Sequence, residues 1–174
     1  MHNTPATQIL TQSELKIQLH YDENTGLFTR LVAKRGVKVG AVTGSSNGYG
    51  YLEIRVNYKK LKAHRLAWLY VYGEFPSCDL DHRDGNRSNN RIKNLRLCTE
   101  LENLKNSGVR KGNVSGVKGV NWHKSRGKWQ ARATVNYKPH YLGLFETLEE
   151  ASAVYQAFAK LHHGEFYRAP SILT

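Results

Sequence analysis

The sequence predicts an α+β protein in two parts, each pairing an antiparallel sheet with helices, joined by a short polar tether. Three observations predict it. Thr-x-x-Glu pairs begin at Thr11, Thr99 and Thr147, and such a pair is a capping box, in which a hydroxyl and a carboxylate satisfy the first orphan N–H groups of a helix. Residues 49–58 alternate, with Leu52, Ile54 and Val56 on one side and Tyr51, Glu53, Arg55 and Asn57 on the other. That is the period of a half-buried strand. Residues 107–116, SGVRKGNVSG, are small and polar, and beyond them a pattern of strands and turns begins again.

Taken in order, residues 9–19 form a short helix, with Leu10 and Leu15 placed as the hydrophobic staple around the Thr11 box. Asp22, Asn24 and Gly26 then supply a turn. Residues 27–31, 37–43 and 61–63 are weaker strands that join residues 49–58 in one antiparallel sheet over about 21–62. Its polar face carries Lys38, Arg55, Lys59, Lys60 and Lys62. A two-stranded ribbon of this kind fits the DNA major groove, and an ordinary solvated face accounts for it equally well. Residues 63–72, AHRLAWLYVY, read as a core helix stopped by Gly73, with Pro76 beyond. His64 has no acid near it in sequence and reads as structural. The Thr99 box opens a helix to about residue 106, which sets Asn103 one turn inside it and Asn106 on the same face. After the tether, short strands cover 119–145, with turns at 125–127 and 136–139. The Thr147 box then opens a helix carrying Ala151, Val154, Tyr155, Phe158 and Leu161 at helical spacing and ending at Gly164. His162 and His163 read as cations near the end of that helix.

The formal charge of +12 over 174 residues points to a polyanion as partner, because Lys and Arg release condensed counterions when they neutralise phosphates. Residues 1–107 and 108–174 each carry +6, and residues 108–145 hold eight basic side chains and no acid. No apolar run approaches the roughly 20 residues that span a bilayer, and MHNTPATQ lacks the regions of a signal peptide. The expectation is a cytoplasmic protein with no membrane partner. Cys78 and Cys98 lie twenty apart without a CxxC partner, so no four-ligand zinc site of the usual kind can be built from them. Both read as reduced and mostly buried thiols.

The chemistry concentrates in residues 78–106, CDLDHRDGNRSNNRIKNLRLCTELENLKN. Cutting a phosphodiester needs an activated water, neutralisation of charge at phosphorus and stabilisation of the departing oxygen. Asp81 is a natural oxygen ligand for a hard cation. His82, next to it on a strand, points to the other side and is better placed as general base. The Gly/Asn-rich loop at 84–90 fails as a calcium loop: with Gly85 in sixth place, positions one and twelve are Leu80 and Arg91, which are not ligands.

Residues 64–106, with Asp81-His82, Asp84-Gly85-Asn86, Asn89-Asn90 and Asn94-Leu95-Arg96, resemble the HNH nucleases of phage and homing type, in the variant that ends in asparagine. Asn24-Thr25-Gly26 and YLEIRV at 51–56 are similar to the amino-terminal DNA-binding sheet of that group. The resemblance implies a ββα-metal fold over about 63–107 within a nuclease domain of 1–107. It implies His82 as general base, Asp81 and Asn103 as ligands of one Mg²⁺ or Mn²⁺, and Asn94 as a brace of the metal loop. Asn103 stands where many members have a His, and a neutral amide favours hard ions over zinc.

Residues 117–174, beyond a linker at 108–116, resemble the plant APETALA/ethylene-response-factor DNA-binding domain, a three-stranded sheet packed on one helix. The landmarks are Gly119-Val120, Gly127-Lys128-Trp129, Ala131, Tyr141-Leu142-Gly143, Phe145, Thr147, Glu150-Ala151, Tyr155 and Gly164. The resemblance implies DNA contacts from Lys118, Trp122, Lys124, Arg126, Lys128, Trp129, Arg132 and Tyr141, joined by Arg110 and Lys111 of the linker. For Trp129, packing against the helix is an equal reading. The family's arginine cluster is replaced here by Asn121, Trp122 and His123, so its sequence preference does not carry over. Together the two resemblances imply a phage or mobile-element DNA endonuclease, nicking or cutting both strands. It is expected to act on double-stranded DNA as a monomer, without a small-molecule cofactor, in the cytoplasm of a bacterial host. The alternative is a DNA-binding regulator that keeps an inactive nuclease fold.

Overall fold

The computed structural model describes residues 10–33, 36–109 and 112–167. The chain divides into two compact units, Met1–Cys98 and Thr99–Thr174. It is a mixed α and β protein with several antiparallel sheets.

In the first unit, helix α1 (Gln12–Gln18) opens on Thr11, whose side chain accepts from Glu14 N while Glu14 answers at the Thr11 N–H, so both halves of the box form. Strands β1 (Leu19–Asp22) and β2 (Leu27–Arg30) make a hairpin, and β3 (Val42–Thr43) joins at the far side of β2. Strands β4 (Ser45–Ser46), β5 (Leu52–Val56) and β6 (Lys59–Lys62) form a second sheet. The single sheet expected over 21–62 is therefore split in two. The split falls at Gly44, whose φ of +135° breaks the extended run between β3 and β4. Helix α2 (Ala63–Tyr72) follows and ends on Gly73, left-handed at φ +87°. Leu15, Leu19, Phe28, Ile54, Leu66 and Leu69 are the heart of the core between these elements. Each such side chain contributes about 1.5–3 kcal/mol by leaving water. Tyr21, Phe28 and Tyr70 pack as an aromatic group, with Tyr21 and Phe28 centroids 4.7 Å apart. The unit closes with a hairpin of β7 (Asp79–His82) and β8 (Leu95–Cys98).

In the second unit, α3 (Glu100–Asn106) carries the predicted box from Thr99 and Glu102. Strands β9 (Val120–His123), β10 (Lys128–Val135) and β11 (Lys138–Phe145) form an antiparallel sheet in the order β11-β10-β9, and α4 (Leu148–His163) opens on the Thr147 and Glu150 box. Small residues let α4 approach the sheet: Ala151, Tyr155 and Ala159 meet Val120, Ala131 and Ala133 in one cluster. Gly119 is obligatory there, because a Cβ would fall 2.1 Å from the Tyr155 ring and 2.5 Å from the Arg132 carbonyl. The short α3 is tied to this unit by Lys118, whose ammonium donates to the Leu104, Lys105 and Ser107 carbonyls at 2.8–3.1 Å. A cation on those last carbonyls also complements the helix dipole.

The cysteines correct one expectation in part. Neither forms a disulfide, and Cys98 is buried, whereas Cys78 is exposed, at the entry to β7. Among the described residues no helix is long and apolar enough to cross a membrane.

Candidate active site

The β7-β8 hairpin places the chemistry. Register sets Asp81 opposite Arg96 and His82 opposite Leu95, and all but Leu95 of these are polar groups buried to within 6% of full exclusion. Arg96 engages Asp81 Oδ2 through Nε at 2.9 Å and a terminal nitrogen at 2.7 Å. A charge-assisted, two-donor contact of that kind fixes the plane of the carboxylate. Burial of a carboxylate is tolerable only with such a partner.

His82 is held from the other end of the loop. Its Nε2 lies 3.3 Å from Asn90 Oδ1. Asn90 is 1% exposed; its Nδ2 donates to the Ser88 carbonyl at 3.2 Å, which turns the amide oxygen toward the imidazole. Its own carbonyl accepts from Tyr21 Oη at 2.6 Å. Burial pushes the His82 imidazole below its ordinary range, against the Asn90 hydrogen bond and the Asp84 and Asp81 charges that pull it up. The ring is therefore neutral at neutral pH, the state a general base requires.

Asn94 ties the loop shut. Its Oδ1 accepts from Asp84 N at 3.1 Å, and its Nδ2 donates to Asp84 Oδ1 at 3.0 Å and to the Asn89 carbonyl at 2.8 Å. Asn89 Nδ2 adds a 2.6 Å bond to Asp84 Oδ2. These hydrogen bonds hold the Asp84 carboxyl below its ordinary value against desolvation, the largest single influence on it. The loop also rests on the β1-β2 turn. Gly26, at φ +74°, meets the backbone of Asn90 and Arg91 so closely that a Cβ would lie 2.5 Å from Arg91 N. Asn24 offers its carbonyl to the Arg91 side chain there.

Four residues of this site carried no functional role in the sequence reading: Asn90, Arg96, His64 and Tyr51. Asn90 and Arg96 stood in the sequence only as members of the Asn89-Asn90 and Asn94-Leu95-Arg96 motif; the cross-strand position opposite Asp81 is the signal for Arg96. His64 is buried and packs edge-on against His82, ring centroids 5.1 Å apart, with Tyr51 5.3 Å away on β5's approach. Its Nδ1 has no hydrogen-bond partner. Burial, then the His82, Lys62 and Arg65 charges, push it down to about 3.

The remaining predicted residues are distributed as follows. Asn103 lies on α3, in the second unit, with its N–H on the Thr99 carbonyl. Lys38, Arg55, Lys59, Lys60 and Lys62 are exposed in the first unit, with Arg55 directly opposite Lys60 across β5 and β6. Arg110 and Lys111 lie outside the described residues. In the second unit, Lys124 and Arg126 occupy the exposed β9-β10 turn. Arg132 and Tyr141 face each other across β10 and β11, Tyr141 60% exposed. Trp122 and Trp129 pair across β9 and β10 at 5.1 Å. Trp129 packs against the core, two residues from buried Ala131 and so on the α4 side of the sheet, while Trp122 is 51% exposed. Lys128 makes a 2.6 Å ion pair with Glu146, and Lys118 turns its ammonium inward to α3. His163 corrects the expectation of a cation: it is buried, and burial followed by the Lys118 and Lys105 charges pushes it down to about 4.

The HNH endonuclease family matches residues 61–105, the stretch that holds His64, the β7-β8 hairpin and α3 as far as Lys105. "Protein 3.8" of Escherichia phage T7 is 36% identical over 112 residues, 64% of this chain and 92% of that protein. A solved structure, "DNA binding and cleavage by the HNH homing endonuclease I-HmuI", is 26% identical with a TM-score of 0.39, covering 51% of each chain. The chain thus spans about half the length of that homing endonuclease.

Proposed function

Because this chain belongs to the family of phage T7 Protein 3.8 and carries an HNH endonuclease domain at residues 61–105, we propose that it is a metal-dependent DNA endonuclease of homing type, serving a phage or mobile element. The observation that carries this reading is the buried, neutral His82 beside the buried Asp81 carboxylate, each oriented by a dedicated partner.

With Nε2–H donating to Asn90 Oδ1, the His82 lone pair sits on Nδ1, and that atom takes the proton from the attacking water. The water oxygen bonds to phosphorus, the bond to the 3′ oxygen breaks, and that oxyanion takes a proton from solvent, so the ends left are a 5′-phosphate and a 3′-hydroxyl. Asn94, through its three bonds to Asp84 and Asn89, keeps the loop that follows His82 closed. The Asp81 carboxylate would hold one Mg²⁺ or Mn²⁺: a carboxylate oxygen suits a hard cation, and Asp81 Oδ2 is the oxygen that Arg96 already engages. Among the described residues no group of three or more His, Cys, Asp and Glu forms a metal cage, as is usual where water and substrate phosphate complete the shell. When bound, the ion supplies charge neutralisation at phosphorus and at the leaving oxygen.

Double-stranded DNA is the substrate in this reading. Arg55 and Lys60 oppose each other with like charge across β5 and β6, an arrangement that costs stability until an anion lies over it. Lys62 lies on the same face, two residues from Lys60, and the exposed Lys38 and Lys59 add to the basic charge of the first unit. The second unit adds Arg132 and Tyr141 on the sheet face away from α4, with Lys124 and Arg126 at the β9-β10 turn, as DNA contacts, and two linked modules gain affinity through effective concentration. The test is relaxation of supercoiled plasmid by the purified protein with Mg²⁺ or Mn²⁺ and with chelator. Metal-dependent nicked or linear product is expected; DNA bound but uncut with either ion would leave a binding regulator on an inactive nuclease fold.

A further inference from the structure

The rim of the His82 site carries two cations that share one ring. Lys62 Nζ lies 4.7 Å from the Tyr51 ring centroid, and the Arg87 guanidinium carbon lies 4.9 Å from it. The same ring is 5.3 Å from His64 and 6.0 Å from His82. Arg87 is further pinned by Nη1 donating to the Tyr49 carbonyl at 3.0 Å, and its loop is closed by the Asp84, Asn89 and Asn94 bonds. Both cations are exposed, and among the described residues neither has a carboxylate partner.

That arrangement is poorly explained as self-stabilisation. A single cation over a half-buried ring is only weakly held, and bringing a second like charge to the same ring works against it. The charge of Arg87 also reaches the buried imidazole, where it is one of the influences holding His82 neutral. Two cations without an ion pair among the described residues, Lys62 with Glu53 as its cross-strand neighbour and Arg87 a planar fork held by a carbonyl and a ring, form a site for an anion with several oxygens. We propose that Arg87 and Lys62, held on Tyr51, form a phosphate clamp that grips the nucleic-acid backbone beside His82. The inference deepens the nuclease reading and rests on it for the identity of the polyanion. Arg87 is its new member: it contacts the phosphate, while Tyr51 is a positioning residue that sets the distance between the gripped backbone and the imidazole.

The experiment measures binding of the full chain to a duplex oligonucleotide by fluorescence anisotropy, in chelator, across a salt series. Wild type, Arg87→Ala, Arg87→Lys and Lys62→Ala are compared, with plasmid cutting by each run in parallel and circular dichroism recording the fold. Loss of one phosphate contact lowers the slope of log K against log salt by about 0.9. Arg87→Ala and Lys62→Ala are each expected to show that drop with several-fold weaker binding, and Arg87→Lys to keep the slope while losing cutting efficiency through KM. If wild type binds but never cuts, and Arg87→Ala still loses its slope, the clamp stands and the nuclease reading falls. If Arg87→Ala binds with the wild-type slope, the clamp is overturned whatever happens to cutting, and a wild type that binds no DNA overturns both.

Discussion

Acid should weaken the first unit through His64. This residue begins α2, is 5% exposed, and has its imidazole pushed from 6.5 down to about 3, first by burial and then by the neighbouring charges of His82, Lys62 and Arg65. The unfolded chain therefore takes up the proton before the folded one as pH falls. Stability is fully present above the unfolded value of about 6.5 and is lost as pH drops from there toward 3. With those two values the loss between pH 7 and pH 5 is about 2 kcal/mol, and it grows to about 4–5 kcal/mol near pH 3. At a urea slope of about 2 kcal/mol/M the first step moves the midpoint by about 1 M. The assay is urea unfolding at pH 7 and pH 5, read by amide exchange in α2 after correction for intrinsic rates. His64→Leu should remove most of the difference, because it leaves no proton site; His82, shifted in the same direction, supplies the remainder. Equal acid sensitivity in wild type and His64→Leu would refute the reasoning.

Arg96→Ala strands the buried Asp81 carboxylate and should cost about 3–5 kcal/mol in chemical denaturation, whereas Asp81→Asn with Arg96→Met, which removes both charges, should recover much of it. Gly26→Ala forces a Cβ against the Arg91 backbone and should displace the Asn90 support, lowering the cutting rate at least tenfold with little change in DNA affinity; an unchanged rate would remove that turn from the site. The acid limb of the pH–rate profile should lie below the ordinary histidine value of about 6.5, since burial lowers His82 and a base must be unprotonated. A limb at or above 7 would contradict the assignment.

The parts of this molecule that were legible in its sequence are those decided locally. The Thr11, Thr99 and Thr147 boxes all form, because a hydroxyl and a carboxylate three residues apart need no distant partner. The alternation at residues 52–56 became β5 for the same reason. The pairing of Asp81 and His82 was visible, but what orients each was not. Asn90 acquires its place from Tyr21, 69 residues away, and from the close approach at Gly26. His64 reads as structural because no acid lies near it in sequence, and its packing against His82, 18 residues on, was not visible there. His163 looked cationic because its position near a helix end is visible and its burial is not. Lys118 looked available to DNA until α3 supplied it with carbonyls.

The central claim is that His82 takes the proton from the attacking water. Its most direct test is the single-turnover cutting rate of His82→Ala against wild type, with duplex affinity measured on the same preparations. The account predicts a loss of about 10²–10⁴-fold in rate at unchanged affinity and salt slope. A His82→Ala variant that cuts at the wild-type rate would contradict it.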